Sequence, residues 1–275
     1  MTSPLRTSAR YLLLSVAALA AILPLLWTLS TSFKTQVETQ SYPPTVVPRH
    51  PTLSNYTGLF AAGGGFLSSA LTSIVVATAA TVLVLCVAFP CAYALVRMRP
   101  HGRRALILVI MLAQTVPAIV FVIPLYSLSL KVGLYDTTVL LVLVYAGFLT
   151  PFATILLAAF VRRLPVEVEE AALVDGAGRV RLLLRVVLPM MRGGLATAAI
   201  FGALYAWNEF LIPVILAGDF TRPLTVFVAS FVTQKTIEWG PLTAAVSLIL
   251  LPVVVVVLSL QRHLVSGLTA GSIKG

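Results

Sequence analysis

The sequence predicts an all-α, polytopic membrane protein: six transmembrane helices and one structured cytoplasmic loop. Three observations carry that prediction. Of the 275 residues, 59% are hydrophobic and only 10% are charged, whereas soluble domains carry roughly 25% charged residues. The mean hydropathy is +1.01. The apolar residues also fall in continuous runs long enough to cross a bilayer core, which takes about 20 residues of helix. Lipid offers no partner to a backbone N–H or C=O, so each run is expected to be helical. Continuous rather than alternating apolarity excludes an outer-membrane barrel.

The runs lie at about 11–33, 68–96, 104–128, 138–161, 193–217 and 240–260. Arg6 and Arg10 precede the first, but its apolar core, Tyr11 to Leu29, exceeds a signal-peptide core of roughly 7–15 residues. No cleavage site follows, so this run is read as a retained first helix. Segment 34–67 carries Pro43-Pro44, Pro48, Pro51 and Gly63-Gly64-Gly65 and is expected to be irregular. Cys86 and Cys91 lie five residues apart in the second run, on different helix faces. They read as small membrane-buried hydrophobes, with neither a disulfide nor a metal site between them. Prolines 24, 90, 117, 124, 151, 213 and 252 fall within the runs and are each expected to be able to kink a helix. Glu209 is the only acid within a run; a charge there costs about 2.5–3.5 kcal/mol on insertion scales. Either it lines or braces a pathway with Trp207 and Asn208, or it pairs with a polar group on a neighbouring helix.

The formal charge of +10 invites a nucleic-acid reading, but its distribution argues for membrane topology. With six spans, the N-terminus, the 97–104 loop, the 162–192 loop and the C-terminus hold 14 of the 19 Lys and Arg. The opposite side holds five: Lys34, Arg49, Lys131, Arg222 and Lys235. By the positive-inside rule both termini face the cytoplasm, and no nucleic acid is implied. The chain reads as one membrane domain, 1–275, without a soluble domain.

The 162–192 loop has a structure of its own. Pro165 suits the first position of a helix, and Glu167, Glu169 and Glu170 suit the positive end of its dipole. Gly176 is placed to end that helix in a left-handed turn, so a short helix over 165–175 is expected. Arg179, Arg181 and Arg185 then alternate with Val180, Leu182, Leu183, Leu184, Val186 and Val187. That pattern predicts an interfacial amphipathic helix, ended by Pro189.

Glu170-Ala171-Ala172, three residues, Gly176, nine residues and Val186-Val187-Leu188-Pro189 together resemble the EAA loop of binding-protein-dependent ABC importer permeases. Val186 stands where the family has isoleucine. The resemblance extends over nearly the whole chain through Ser32-Phe33-Lys34, Leu53-Ser54-Asn55-Tyr56, Ala92-Tyr93-Ala94-Leu95 with Arg97, Trp207-Asn208-Glu209-Phe210 and Gly267-Leu268-Thr269-Ala270-Gly271 with Lys274-Gly275. It is closest in kind to the smaller, six-helix permease subunit of maltose-type carbohydrate importers of the bacterial inner membrane. The resemblance implies a second permease subunit, two copies of an ATPase, and an extracytoplasmic sugar-binding protein. It further implies a polar contact from Glu170 to the ATPase, packing of Ala171 and Ala172 in its groove, and a turn at Gly176. Asp175, Leu188 and Pro189 complete that coupling surface, and Gly271 and Lys274 would reach the ATPase interface. ATP and Mg would be bound by the partner. Consistently, the sequence contains no Gly-Lys pair and so no phosphate-binding G-x-x-x-x-G-K-[ST] loop.

Two other classes fit the sequence less well. An ion-driven secondary transporter would need no docking loop and would more naturally carry several intramembrane acids. Tyr135-Asp136 and Ala217-Gly218-Asp219 faintly resemble the motifs of intramembrane aspartyl proteases, but both fall at outer helix ends, where an aspartate reads as a solvated cap.

Overall fold

The computed structural model describes residues 4–269, Ala62 and Arg99 excepted. It is helical throughout; among the described residues β pairing is confined to one isolated bridge, Val232 with Ile237. The principal helices are α1 (Pro4–Ser32), α2 (Phe66–Tyr93, continuing as a π-helical turn Ala94–Met98), α3 (Arg103–Ala113), α4 (Ala118–Lys131) and α5 (Thr138–Val161). They are followed by α6 (Val166–Val174), α7 (Arg179–Met190), α8 (Arg192–Asn208) and α9 (Trp239–Thr269).

Among the described residues, three helical segments are long and apolar enough to cross a membrane: Arg10–Ser32, Phe66–Met98 and Thr138–Val161. Two bent pairs bring the number to five if each pair is one span. The expectation of uninterrupted third and fifth helices is corrected here. The third run is broken between α3 and α4, which meet at 86°. Pro117 explains the break: it has no N–H to donate and adopts an extended conformation, ψ 136°, ahead of α4. The fifth run is helical only to Asn208; Glu209 turns extended, ψ 127°, before a short helix Pro213–Leu216. The sixth run coincides with α9, of which Trp239–Val255 is the described apolar part. Proline alone does not dictate a break: Pro24, Pro90, Pro124, Pro151 and Pro252 all lie inside helices. Cys86 and Cys91 are unpaired, and both sit on the protein's surface rather than in its core.

The chain divides into two compact units, one formed by 1–67 with 227–253 and the other by 68–226 with 254–275. In the first, the segment expected to be irregular contains short helices Gln36–Thr39 and Ser54–Phe60. Two separated pieces of sequence meet there. Asn55 Nδ2 donates to the carbonyls of Ser32 (2.8 Å) and Lys34 (2.9 Å), and the Ser32 and Tyr56 hydroxyls share a 2.7 Å bond. Lys34 is buried, with its ammonium 4.6 Å from the Trp27 ring centroid and bonded to the Thr45 carbonyl. Such a cation is held by a π face and a carbonyl in place of water.

In the second unit, α2, α5 and α8 form the core. Small residues allow close approach: a Cβ on Gly194 would lie 2.7 Å from Phe160 Cγ, and one on Gly202 would lie 3.3 Å from Thr81 Oγ1. Asp136 is not the solvated cap expected of it. At φ 54° it accepts from the amides of Gly218 (2.8 Å), Phe220 (3.1 Å) and Thr221 (2.9 Å) and from the Thr221 hydroxyl (2.6 Å). Its carboxylate is committed to a loop-to-loop tie. Partial burial raises its pKa, but the Thr221 hydroxyl and the three amides outweigh that and hold it below the ordinary 3.8.

Two outcomes are expected. Asn55→Ala strips partners from two carbonyls and should lower stability in detergent by about 1–3 kcal/mol per unsatisfied group, measured as a shift in the unfolding midpoint. Because the Asp136 carboxyl is depressed, the tie is fully present above about pH 4 and is lost as pH falls through the lower folded-state value. Limited proteolysis at 217–223 should therefore accelerate below about pH 4, and Asp136→Asn should cleave faster than wild type at neutral pH with a flatter pH response.

Candidate functional site

The polar segment between α5 and α8 is built as its residues dictate. Pro165 is the N-cap of α6 rather than its first helical residue, and Glu167 and Glu169 fall in the first turn. At the other end Asp175 is the C-cap and Gly176 adopts φ 82°. The Gly176 amide donates to Leu173 O and the Ala177 amide to Ala172 O, both at 3.0 Å, which is the paired bond pattern of a Schellman stop. Helix α7 then begins at Arg179 and contains a π-helical turn, Leu183–Val187. It buries Leu182 and Val187 while leaving Arg179, Arg181 and Arg185 exposed, the amphipathic face expected of it. Pro189 does not end it. Proline sits in the first turn of Leu188–Met190, and the chain turns by 79° at Met191 into α8.

The candidate coupling residues divide between two faces. Glu170, Ala171, Asp175 and Gly176 are exposed, as is Pro189. Ala172 and Leu188 are half-buried and pack on this chain's own core, the cluster containing Leu157, Leu182 and Val187.

The residue that anchors α6 is Glu169, which local sequence reading treats only as a dipole-complementing acid. Its side chain is 5% exposed. Oε1 accepts from Arg97 Nε and lies 2.8 Å from Arg97 Nη2, and Oε2 accepts from the Tyr93 hydroxyl at 2.9 Å. Arg97 Nη2 also donates to Leu164 O at 2.8 Å. Arg97 itself lies on the π-helical turn that ends α2. Removing one partner of such a buried pair costs about 3–5 kcal/mol. The signal was present in the sequence, since Tyr93, Arg97 and Glu169 all sit in segments of family-like pattern. Seventy-odd residues separate the partners, however, and no local periodicity connects them.

The second candidate group ends α8. Asn208 is exposed, and its Nδ2 donates to Leu204 O at 2.7 Å. Glu209 Oε1 accepts from the Ile212 amide at 3.1 Å, and its carbonyl accepts from the Thr225 hydroxyl at 2.8 Å. The carboxylate thereby takes a donor that the interrupted helix leaves over. Trp207 Nε1 is buried without a hydrogen-bond partner. Beside α8 lies a groove of about 940 Å³, lined by Gln114, Pro117, Phe121, Phe148, Phe201 and Tyr205 among others. Gly271 and Lys274 lie outside the described residues.

Comparison with known proteins gives a consistent result. The family profile described as binding-protein-dependent transport system inner membrane component matches residues 88–270. Over 268 residues the chain is 35% identical to the diacetylchitobiose uptake system permease protein NgcG of Streptomyces coelicolor, covering 95% of this chain and 87% of that one. It is also 35% identical over 260 residues to the trehalose transport system permease protein SugB of Mycobacterium tuberculosis, covering 93% of each. Among solved structures, that of a bacterial ABC transporter importing the acidic polysaccharide alginate matches with TM-score 0.81 at 23% identity, covering 95% of this chain and 98% of that one. This last likeness shows the fold.

Gly176 offers a direct check on how α6 is ended. No heavy atom lies within 4 Å of a Cβ built there, so Gly176→Ala tests backbone conformation alone. It should cost about 1–2 kcal/mol of left-handed strain, read as faster amide exchange at Gly176 and Ala177 with membrane insertion unchanged.

Proposed function

This chain belongs to the binding-protein-dependent transport system inner membrane component family, and on that premise we propose that it is the permease subunit of an ATP-driven importer of a di- or oligosaccharide. The sugar class follows from the relatives, whose names specify diacetylchitobiose and trehalose. In this reading six segments span the cytoplasmic membrane, the third and fifth of them bent, and both termini face the cytoplasm. A second permease subunit completes the pathway, a separate ATPase dimer binds ATP and Mg, and an extracytoplasmic binding protein delivers the sugar.

The observation that carries the reading is the two-faced helix α6. One face is packed on the core, and the other presents Glu170 and Ala171 bare. A capped helix of nine residues held on one side and small on the other is shaped to enter a groove of another protein. Glu170 supplies a polar contact there, Ala171 permits close approach, and Asp175, Gly176 and the end of α7 at Leu188 and Pro189 flank it. Closure of the ATPase dimer would displace α6 and rock the helices between outward-open and inward-open states, as alternating access requires. The groove beside α8 suits the wall of a sugar path, since Phe121, Phe148, Phe201 and Tyr205 offer ring faces and Gln114 offers hydrogen bonds at a broken helix. Trp207, Asn208 and Glu209 would border that path at the end of α8, and Gly271 and Lys274 would lie towards the ATPase.

The test is recovery of partners from detergent-solubilised membranes through a tag on this chain. Wild type should bring down a second permease and an ATPase, and deletion of 167–176 should lose the ATPase alone. Ala171→Trp should keep membrane insertion and lower ATP-driven uptake roughly tenfold, the effect of about 1.4 kcal/mol lost from docking. A bulky residue at 172 is the poorer probe, because it would collide with this chain's own core. Wild type purified alone and still moving sugar into liposomes without ATP would replace the importer with an ion-driven carrier.

A further inference from the structure

We infer that Arg97, Glu169 and Tyr93 form the joint that carries movement of α6 into α2, on a face of α6 separate from the one a partner touches. The inference rests on the importer reading above. Successive residues on an α-helix point about 100° apart, so Glu169 and Glu170 serve different neighbours. Glu170 is exposed, while Glu169 is buried, ion-paired with Arg97 and bonded on both oxygens by donors of the same chain.

The geometry is that of a rigid attachment rather than a tether. Arg97 grips α6 at two points: the Glu169 carboxylate within its first turn, and the Leu164 carbonyl just ahead of its cap. A helix held at one point can pivot about it, whereas one held at two transmits rotation. The planar guanidinium is suited to both contacts at once, and a lysine ammonium is not. The second lone-pair side of the carboxylate is closed by Tyr93, one turn back on α2. The ion pair lies where α2 departs from α-helical geometry into a π turn, a local feature often found at functional positions. Arg97, Glu169 and Tyr93 are therefore positioning residues. They do not meet ATP or sugar, but they decide whether displacement of α6 becomes displacement of the span.

The experiment uses the whole complex, purified through a tag on this chain, with hydrogen–deuterium exchange read with and without ATP plus orthovanadate. In wild type, nucleotide should alter exchange both over 166–176 and over 84–98. In Glu169→Gln and in Arg97→Lys the ATPase should still co-purify and the response over 166–176 should persist. The response over 84–98 should shrink at least about fivefold. An undiminished response over 84–98 in both single variants would overturn the inference. So would loss of the ATPase from variants that insert normally, because the pair would then belong to the docking face. Absence of an ATPase from the wild-type preparation would instead strike at the importer reading itself.

Discussion

A backbone in an apolar surrounding must find its hydrogen-bond partners within itself, and the rest of this structure follows from how that requirement is met where helices stop. Along α2 and α5 the helix meets it continuously. At 114–117 it is met by tying back: the Gln114 and Thr115 amides donate to Met111 and Leu112 carbonyls, and the Thr115 hydroxyl donates to Leu112 as well. At 209–212 it is met by a side chain, with Glu209 taking the Ile212 amide. An intramembrane acid is costly in isolation, and here it supplies an acceptor that the bend has removed.

What was legible in the sequence was whatever is local. The long apolar segments, the short helix after Pro165, its glycine stop and the buried stripe of α7 all follow from composition and spacing over fewer than about 20 residues. The breaks were not legible. Pro117 and Pro124 look alike in the sequence, yet one starts a new helix and the other lies inside it. Surrounding packing, not proline alone, decides which freed carbonyl can be accommodated. The tie between Arg97 and Glu169 was equally hidden. Each residue already had a sufficient local explanation, topogenic charge for one and helix dipole for the other. The two pieces of the knot at Asn55 were singled out in the sequence, but that they bond to each other is a fact of three dimensions.

The polar loop also shows how few residues divide inside from outside. Within four successive positions, Glu169 is buried, Glu170 and Ala171 are exposed, and Ala172 turns back to the core. The triplet is not one uniform surface: its last alanine is half-buried and packs on this chain's own core. The small residue and the acidic residue on the open side are the ones free to meet another molecule.

The tie at Asp136 has a consequence for how such a sequence can change over time. A Cβ on Gly218 would lie 2.5 Å from Asp136 Oδ2, closer than a Cβ comes to any neighbouring atom. Any other residue at 218 is therefore admissible only if the aspartate side chain moves out of its bonds. An apolar residue in place of the aspartate would in turn release four donors at once. Of the two mutational orders, one begins with a collision and the other with a set of orphaned amides. A change at either position thus bears on the other, although 82 residues separate them along the chain.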